Sequence, residues 1–542
     1  MTKIMDISQE ETQLYDCQYL PARQSALYSD WVLRYIEKDA ALRPLYEHEY
    51  SIEGVKAFIE NSHFSDQRRQ ILRQAIERQY GTMPLPTKVK QNIEKLSQAN
   101  TFTVTTGHQL GLMGGPLFVA YKILSVVRMA EFLTATLPQY EFVPVFWMAS
   151  EDHDWDEVNH FYFHAKRYEW QTDYSGAVGR YILPDMGHFI EQLPQELQSW
   201  AQVYRAGDGW ATATRRLIHR LFGDLGVVVV DGDDRDLKSL WKDIVWQELT
   251  QAPTKEAVAR QNELIERLGG TIQAHVRDIN LFYMTGRERL RVKRTGDGRW
   301  QTVGGQYAWS LEALRKSVTQ EPEAWSPNVM LRPVYQQAIL PNAVYIGGPG
   351  ELAYWLQLRK VFSYWRQVDA HIQMPVVGLR HSLFVLTPSD WRKIEKNALQ
   401  PQDFFRTVDA LIKEWLAAHV HETDVFDSAR AKITEAHALL LPEIDAVDAS
   451  LHKKVKAYEV QALKQIDDLE KRFYKAVKQR EETAVRQIQS VHERLFPGGV
   501  PQERHDSLFT FFIYHQENEY WKQLLQKLIP FRTDVLLLKE NS

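Results

Sequence analysis

Three stretches of this chain place glycines and polar side chains where a buried strand should end. The first is TTGHQLGLMGGP, residues 105–116. Gly107, Gly114 and Gly115 would let backbone approach a ligand closely, and the helix that follows offers free N–H groups to an anion. His108 and Gln109 stand where a side chain could touch a phosphate or carboxylate. A tight strand-to-helix connection would use the same glycines, and the spacing matches neither the P-loop nor the dinucleotide pattern. The second stretch is SEDHDWDEVNH, with Glu151, Asp152, His153, Asp154, Asp156, Glu157 and His160. Such a cluster could hold a divalent cation or a substrate ammonium, or supply a general base. Acids also cap the next helix, and so many side chains cannot all point one way. Asp152 and His153 are therefore the leading candidates, with Asp154 beside them. No second His or Cys cluster at ligand spacing supports zinc, and no metal is assigned.

The third stretch spans residues 326–355 and repeats the strand, glycine, helix order, with Gly347, Gly348 and Gly350 in GGPG. Ahead of it, Asn328 and Arg332 could present an amide and a guanidinium to an anion. Pairing of Arg332 with an internal acid such as Glu351 is the plainer alternative. Three smaller signals remain. Asp231 closes VVVVD and could accept from a hydroxyl. Arg380 and His381 follow the apolar run MPVVGL. Arg289, Arg291 and Lys293 alternate on one strand face, which could serve an acidic ligand but reads first as a solvated basic face.

The elements that must position these residues follow from periodicity. FTVTT (102–106), FVPVFWMA (142–149) and VVVVD (227–231) are short apolar runs, and amphipathic helices such as 117–136 separate them. That alternation predicts βαβ units and a mostly parallel sheet, with the chemistry beyond the carboxyl ends of its strands. Residues 281–309 alternate around a Gly-Asp-Gly turn and read as a β-meander set into that core. From about residue 403 to 496 the pattern becomes helical, with Ile444, Val447, Leu451, Val455 and Tyr458 in a coiled-coil register. Pro442 should start or kink the long helix, and a shorter one before it should fold back antiparallel. The expected domains are a core over 1–400, a helical coiled coil over 401–500, and a tail over 501–542 that returns to the core.

The 542 residues exceed one compact core, and 44% hydrophobic with 25% charged content is ordinary for a globular enzyme. A net charge of -5 and a pI near 6.4 do not favour nucleic acid. Cys17 is the single cysteine, so an internal disulfide is excluded. The N-terminal residues lack an apolar core for a signal peptide, and no long apolar run suggests a membrane span. A cytoplasmic protein is expected.

TGHQLGLMGGPLFVAYK, VPVFWMASEDHDWDEVNH, SPNVMLRPVYQQAILPNAVYIGGPGELAYW and QMPVVGLRHS together resemble the bacillithiol biosynthesis BshC family of cysteine-adding ligases. The likeness runs nearly end to end. It implies a Rossmann-like α/β core, similar to class I aminoacyl-tRNA synthetases. Connecting-peptide insertions would fall near 160–185 and 276–310, and an antiparallel coiled coil would make a homodimer. It also implies a reaction in which L-cysteine is joined through its carboxyl to the amine of glucosaminyl-malate. The synthetase-type first signature would fall on Gly107, His108 and Gln109, spelled differently from the usual His-x-Gly-His. Amide formation from a carboxylate needs activation, so ATP is the expected agent. The glycine loops would bind phosphates or carboxylates, Arg332 and Arg380 would neutralise malate carboxylates, and Asp152 or His153 would hold an ammonium or deprotonate the amine. A carbohydrate or nucleotide-sugar transferase and a non-catalytic dimeric scaffold are the alternatives.

Overall fold

The computed structural model describes residues 14–419, 424–515 and 517–541. Its centre is a five-stranded sheet built from the runs of branched and aromatic residues noted above. Label the strands that matter here in chain order: β1 (Thr101–His108), β2 (Glu141–Met148) and β3 (Val228–Asp231) come first. An antiparallel set follows, β4 (Leu281–Met284), β5 (Arg289–Arg294), β6 (Trp300–Thr302), β7 (Ala308–Trp309) and β8 (Trp325–Pro327). The central sheet is completed by β9 (Asn342–Gly347) and β10 (Val376–Leu379). Its order is β10-β9-β1-β2-β3, and every pairing is parallel.

Helices cover both faces, which is why the strands are apolar throughout. On one face lies α1 (Phe118–Thr136), whose Val126, Met129, Ala130 and Leu133 pack with Phe102, Val104, Phe142, Val344 and Ile346. On the other lies α2 (Arg332–Ile339), where Tyr335 meets Trp147 edge-on at 5.6 Å between ring centroids. A third helix, α3 (Pro349–Trp355), leaves the end of β9. It breaks after Trp355, and a new helix starts at Arg359–Val368. The antiparallel sheet, order β7-β6-β5-β4-β8, is the expected meander joined by β8, a strand the sequence reading left out.

Two compact units divide the chain. The first holds the residues up to Phe384 together with Pro501–Leu538. The seam falls at Phe384/Val385 rather than near residue 400, because the helix Pro388–Lys396 and its cap pack within the second unit. There Asn397 donates to Gln487 at 3.1 Å. The returning tail is apolar and aromatic, with Trp521 against Phe222 at 4.9 Å.

The second unit is dominated by α4 (Asp424–Asp448) and α5 (His452–Arg480), followed by α6 (Glu482–Leu495). Phe426 meets Phe473, Arg430 reaches Asp467 at 3.1 Å, and Asp445 faces His452, so α4 and α5 run antiparallel. Pro442 neither starts nor ends a helix but lies inside α4. The reversal comes at Ala449–Leu451 instead. Among the described residues no helix is long and apolar enough to cross a membrane.

Candidate active site

In an open parallel sheet the crevice opens where the strand order reverses, beyond the carboxyl ends of the strands. Here the reversal falls between β1 and β9, whose crossovers run to opposite sides. Gly107 and His108 end β1, Ala149 and Asp152 follow β2, and Gly348 to Glu351 follow β9. All of them line one cavity of about 400 Å³ with Arg332, Tyr345 and Tyr354. Gly107 is needed for the approach of β1 to β2, since a Cβ there would come within 3.3 Å of the Trp147 carbonyl oxygen.

The floor of the cavity is held by a lysine that helix α1 buries completely. Lys122 donates to the Gly107 carbonyl and to Glu351 Oε1 at 2.7 Å. Glu351 also accepts from the Gly348 N–H at 3.0 Å and from the Tyr345 hydroxyl at 2.5 Å. One ion pair thereby ties the ends of β1 and β9 to α1. Burial would raise the Glu351 carboxyl, but Lys122 and these donors hold it down at about 2. The same arrangement changes what the glycine loops can do. The Gly348 amide is already taken by Glu351, and Pro349 has no N–H. In the first loop the amides of Gly111, Gly114 and Gly115 close turns on the carbonyls of Gln109, Gly111 and Leu112. Four glycine amides of the two loops are thereby committed, while Gly350, in the first turn of α3, lines the cavity.

The polar groups over the floor carry distinct charges. Burial, with Lys122 nearby, pushes the His108 imidazole down to about 3, so it is neutral at physiological pH. It stands edge-on to Phe118 at 5.0 Å, and its ring nitrogens make no hydrogen bond with another described residue. Asp152 is the opposite case. Burial alone would raise its carboxyl, but hydrogen bonds with His153 and Gln109 and the charge of Arg289 hold it well below the usual range. Gln109 Nε2 donates to Asp152 at 2.8 Å and to Glu157 at 2.5 Å. Arg332 forms no pair with Glu351, contrary to the plainer expectation. It donates to Gln336 at 3.0 Å and to the Tyr354 hydroxyl at 3.3 Å, and among the described residues it forms no ion pair, Glu351 acting on its charge only at a distance.

A profile of the bacillithiol biosynthesis BshC N-terminal Rossmann-like domain matches residues 15–381, and one of the BshC C-terminal coiled-coil domain matches 383–540. The chain belongs to the BshC family. Curated members named "Putative cysteine ligase BshC" are similar over most of their length. That of Cytophaga hutchinsonii is 35% identical, covering 94% of this chain and 96% of the relative. That of Flavobacterium johnsoniae is 34% identical, covering 95% and 98%. The one from Bacillus cytotoxicus is 30% identical over 67% of this chain and 70% of its own. Membership makes the chain an enzyme of bacillithiol biosynthesis, of the ligase class.

Within this BshC-family core the structure gathers some of the sequence candidates and disperses others. Gly107, His108, Gln109, Asp152, Arg332, Gly348, Gly350 and Arg380 line the cavity. Asn328 lines an adjoining lobe, where its side-chain oxygen accepts from the Met330 N–H and caps the turn into α2. Arg380 is spoken for: its guanidinium pairs through two hydrogen bonds, 2.8 and 2.6 Å, with the buried Glu503. His381 points away, between Ser125 and the Ile529 carbonyl, and burial holds it at about 4.

Gly114 and Gly115, at φ 82° and 71°, serve the turn and pack beside Leu508 and Val119. Gly347 is a buried strand residue against Glu351 and Tyr345, and Asp154 stands exposed just before a short helix. Asp231 is half-buried; it accepts from Ser150 and from the Asp233 amide, and desolvation lifts its carboxyl to about 6. His153 lies outside the cavity wall, 3.6 Å from Asp152. The acid cluster diverges because Glu151 turns inward to the buried Lys238. Cys17 is no activated thiol, since burial raises it. Sequence reasoning missed Lys122, Tyr345 and Tyr354. The one available signal was a lysine in the apolar register of α1.

Proposed function

We propose that this enzyme joins the carboxyl group of L-cysteine to the amine of glucosaminyl-malate, forming bacillithiol, with ATP activating the carboxylate. The observation that carries the reading is the meeting of an ionised Asp152, a neutral His108 and an Arg332 without an ion pair among the described residues, at the sheet's reversal point in a BshC-family core. An ionised carboxylate held this low is a poor proton acceptor and a good anchor for an ammonium, so we assign Asp152 to the cysteine α-ammonium. His108 supplies a hydrogen bond to the reacting carboxylate without adding charge. Arg332 faces the negative charge that activation builds up.

The cavity residues fit a nucleotide. Phe118, Trp147, Tyr345 and Tyr354 give flat walls for a base, and Arg332 gives a guanidinium for phosphate oxygens. Activation would break a phosphoanhydride bond of ATP and place a phosphoryl or adenylyl group on the cysteine carboxylate, with ADP or pyrophosphate leaving. Attack of the free amine on the carbonyl carbon then forms the C–N bond, expels that group as phosphate or AMP, and releases the amine's proton to solvent.

We further read the protein as a cytoplasmic homodimer joined through its helical hairpin. Val447 is 87% and Leu439 71% exposed there, with Leu440, Tyr458, Val460 and Leu469 also uncovered.

The test is incubation of the protein with cysteine, glucosaminyl-malate and ATP, with product read by mass spectrometry. Formation of the amide is expected. Asp152→Asn and His108→Ala should each abolish it while the circular dichroism spectrum stays that of the parent. No product from the parent protein would overturn the reaction, and undiminished product from both variants would overturn the site.

A further inference from the structure

Beside the first cavity, and sharing Trp147, Ala149, Asp152 and Arg332 with it, lies a second lobe of about 410 Å³. Its character is different. Where the first is walled by aromatic rings, the second is walled by guanidinium groups: Arg277, Arg289 and Arg291, with Arg332 at the junction. Arg289 and Arg291 come from alternate positions of β5 and so share a face. Arg289 lies flat over the Phe282 ring at 4.1 Å and donates to the Pro327 carbonyl at 2.7 Å. Its side chain is 10% exposed, and the nearest carboxylate, Asp152, is 3.9 Å away. Arg277 and Arg291 have no hydrogen bond or ion pair from their side chains to any other described residue.

The acids of the lobe do not balance this charge. Glu151 is neutralised by the buried Lys238, which also donates to the Trp325 carbonyl at 2.7 Å. Asp152 is shared with the first cavity and held by Gln109. Four guanidiniums therefore face one carboxylate, Asp152, that no buried lysine neutralises. Ile279, Leu281 and Val329 supply an apolar floor between them. Planar guanidinium forks match planar carboxylates, and spreading them over an aliphatic floor suits a short chain with a carboxylate at each end.

We propose that this second lobe is the subsite for a dicarboxylate. Resting on the function proposed above, its occupant is the malyl end of the acceptor substrate, which sets the acceptor's amine at the junction between Asp152 and Arg332. Arg277 and Arg291 make the outer contacts, and Arg289, stiffened by Phe282, makes the inner one. The nucleotide and cysteine are left to the aromatic lobe.

The test uses the full-length protein and the double variant Arg277→Gln/Arg291→Gln, in which two surface-facing charges go and no buried pair is broken. Calorimetric titration with L-malate alone should give saturable binding that weakens at least about tenfold in the variant, while L-lactate, with one carboxylate, binds the parent weakly. In turnover, KM for the malyl acceptor should rise by a similar factor, with KM for cysteine and ATP within about twofold of the parent. Unchanged malate binding in the variant, or a loss of ATP affinity in place of malate affinity, would overturn the dicarboxylate assignment even if ligation occurs. Arginine-dependent malate binding without ligation would leave the subsite standing and remove the proposed reaction.

Discussion

Replacing Lys122 by methionine tests the clamp under the active site most directly. The lysine side chain is fully buried and that of Glu351 is 25% exposed, so the pair lies largely outside the screening of solvent. Holding Glu351 at about 2 rather than 4.5 corresponds to about 3 kcal/mol of folding free energy. The sign follows from the carboxyl being depressed. This stability is present above pH 4.5 and is lost as pH falls through 4.5 towards 2. Burial lowers the Lys122 ammonium as well, and that opposing cost offsets part of the gain. Lys122→Met leaves a buried carboxylate without its cation, for which the expected destabilisation at pH 7 is about 3–5 kcal/mol. Glu351 then titrates above 4.5, so lowering the pH towards 5 should narrow the gap to the parent. Adding Glu351→Gln removes the stranded charge and should recover most of the loss, giving a coupling of more than about 2 kcal/mol in the double-mutant cycle. Urea unfolding followed by tryptophan emission measures all four proteins. A Lys122→Met variant within 1 kcal/mol of the parent at pH 7 (~1.4 kcal/mol being a tenfold change in equilibrium), or one that Glu351→Gln does not rescue, would refute the clamp.

Arg380→Met should behave as a stability variant and not as a binding one. It strands Glu503, whose side chain is 3% exposed, and should cost about 3–5 kcal/mol in urea unfolding while KM for every substrate stays within about twofold. His381, held at about 4 against an ordinary 6.5, binds its proton later than the unfolded chain does. Its contribution to stability is complete above pH 6.5 and falls away towards pH 4, by about 2 kcal/mol at pH 5. Denaturation at pH 7.5 and 5.0 should show a drop in the parent, to which the depressed His108 and His48 also contribute, that is about 2 kcal/mol smaller in His381→Asn. Sedimentation at micromolar concentration should give about twice the 63.3 kDa chain mass, and Val447→Glu with Leu439→Glu should return it to the monomer.

The sequence alone determined the strands of the core, the polar residues that follow them and the family. Those features are local: apolar runs of strand length report burial on both faces, and a loop must come where the run stops. His108, Asp152 and Gly348 were legible for that reason, because parallel strands necessarily deliver their carboxyl ends to one rim. Whether a charged residue on that rim is free or already paired was not legible. Arg380 and Arg332 look alike in sequence, yet one is neutralised by Glu503, 123 positions away, and the other forms no ion pair among the described residues. Lys122 and Glu351 are separated by 229 positions, and the Gly348 amide and Gly107 carbonyl they occupy looked open until the two were brought together. Arg289 and Arg291 read as a solvated face because the surface opposite them is supplied by other segments. Electrostatic role depends on which groups lie within a few ångströms, and only the folded chain decides that.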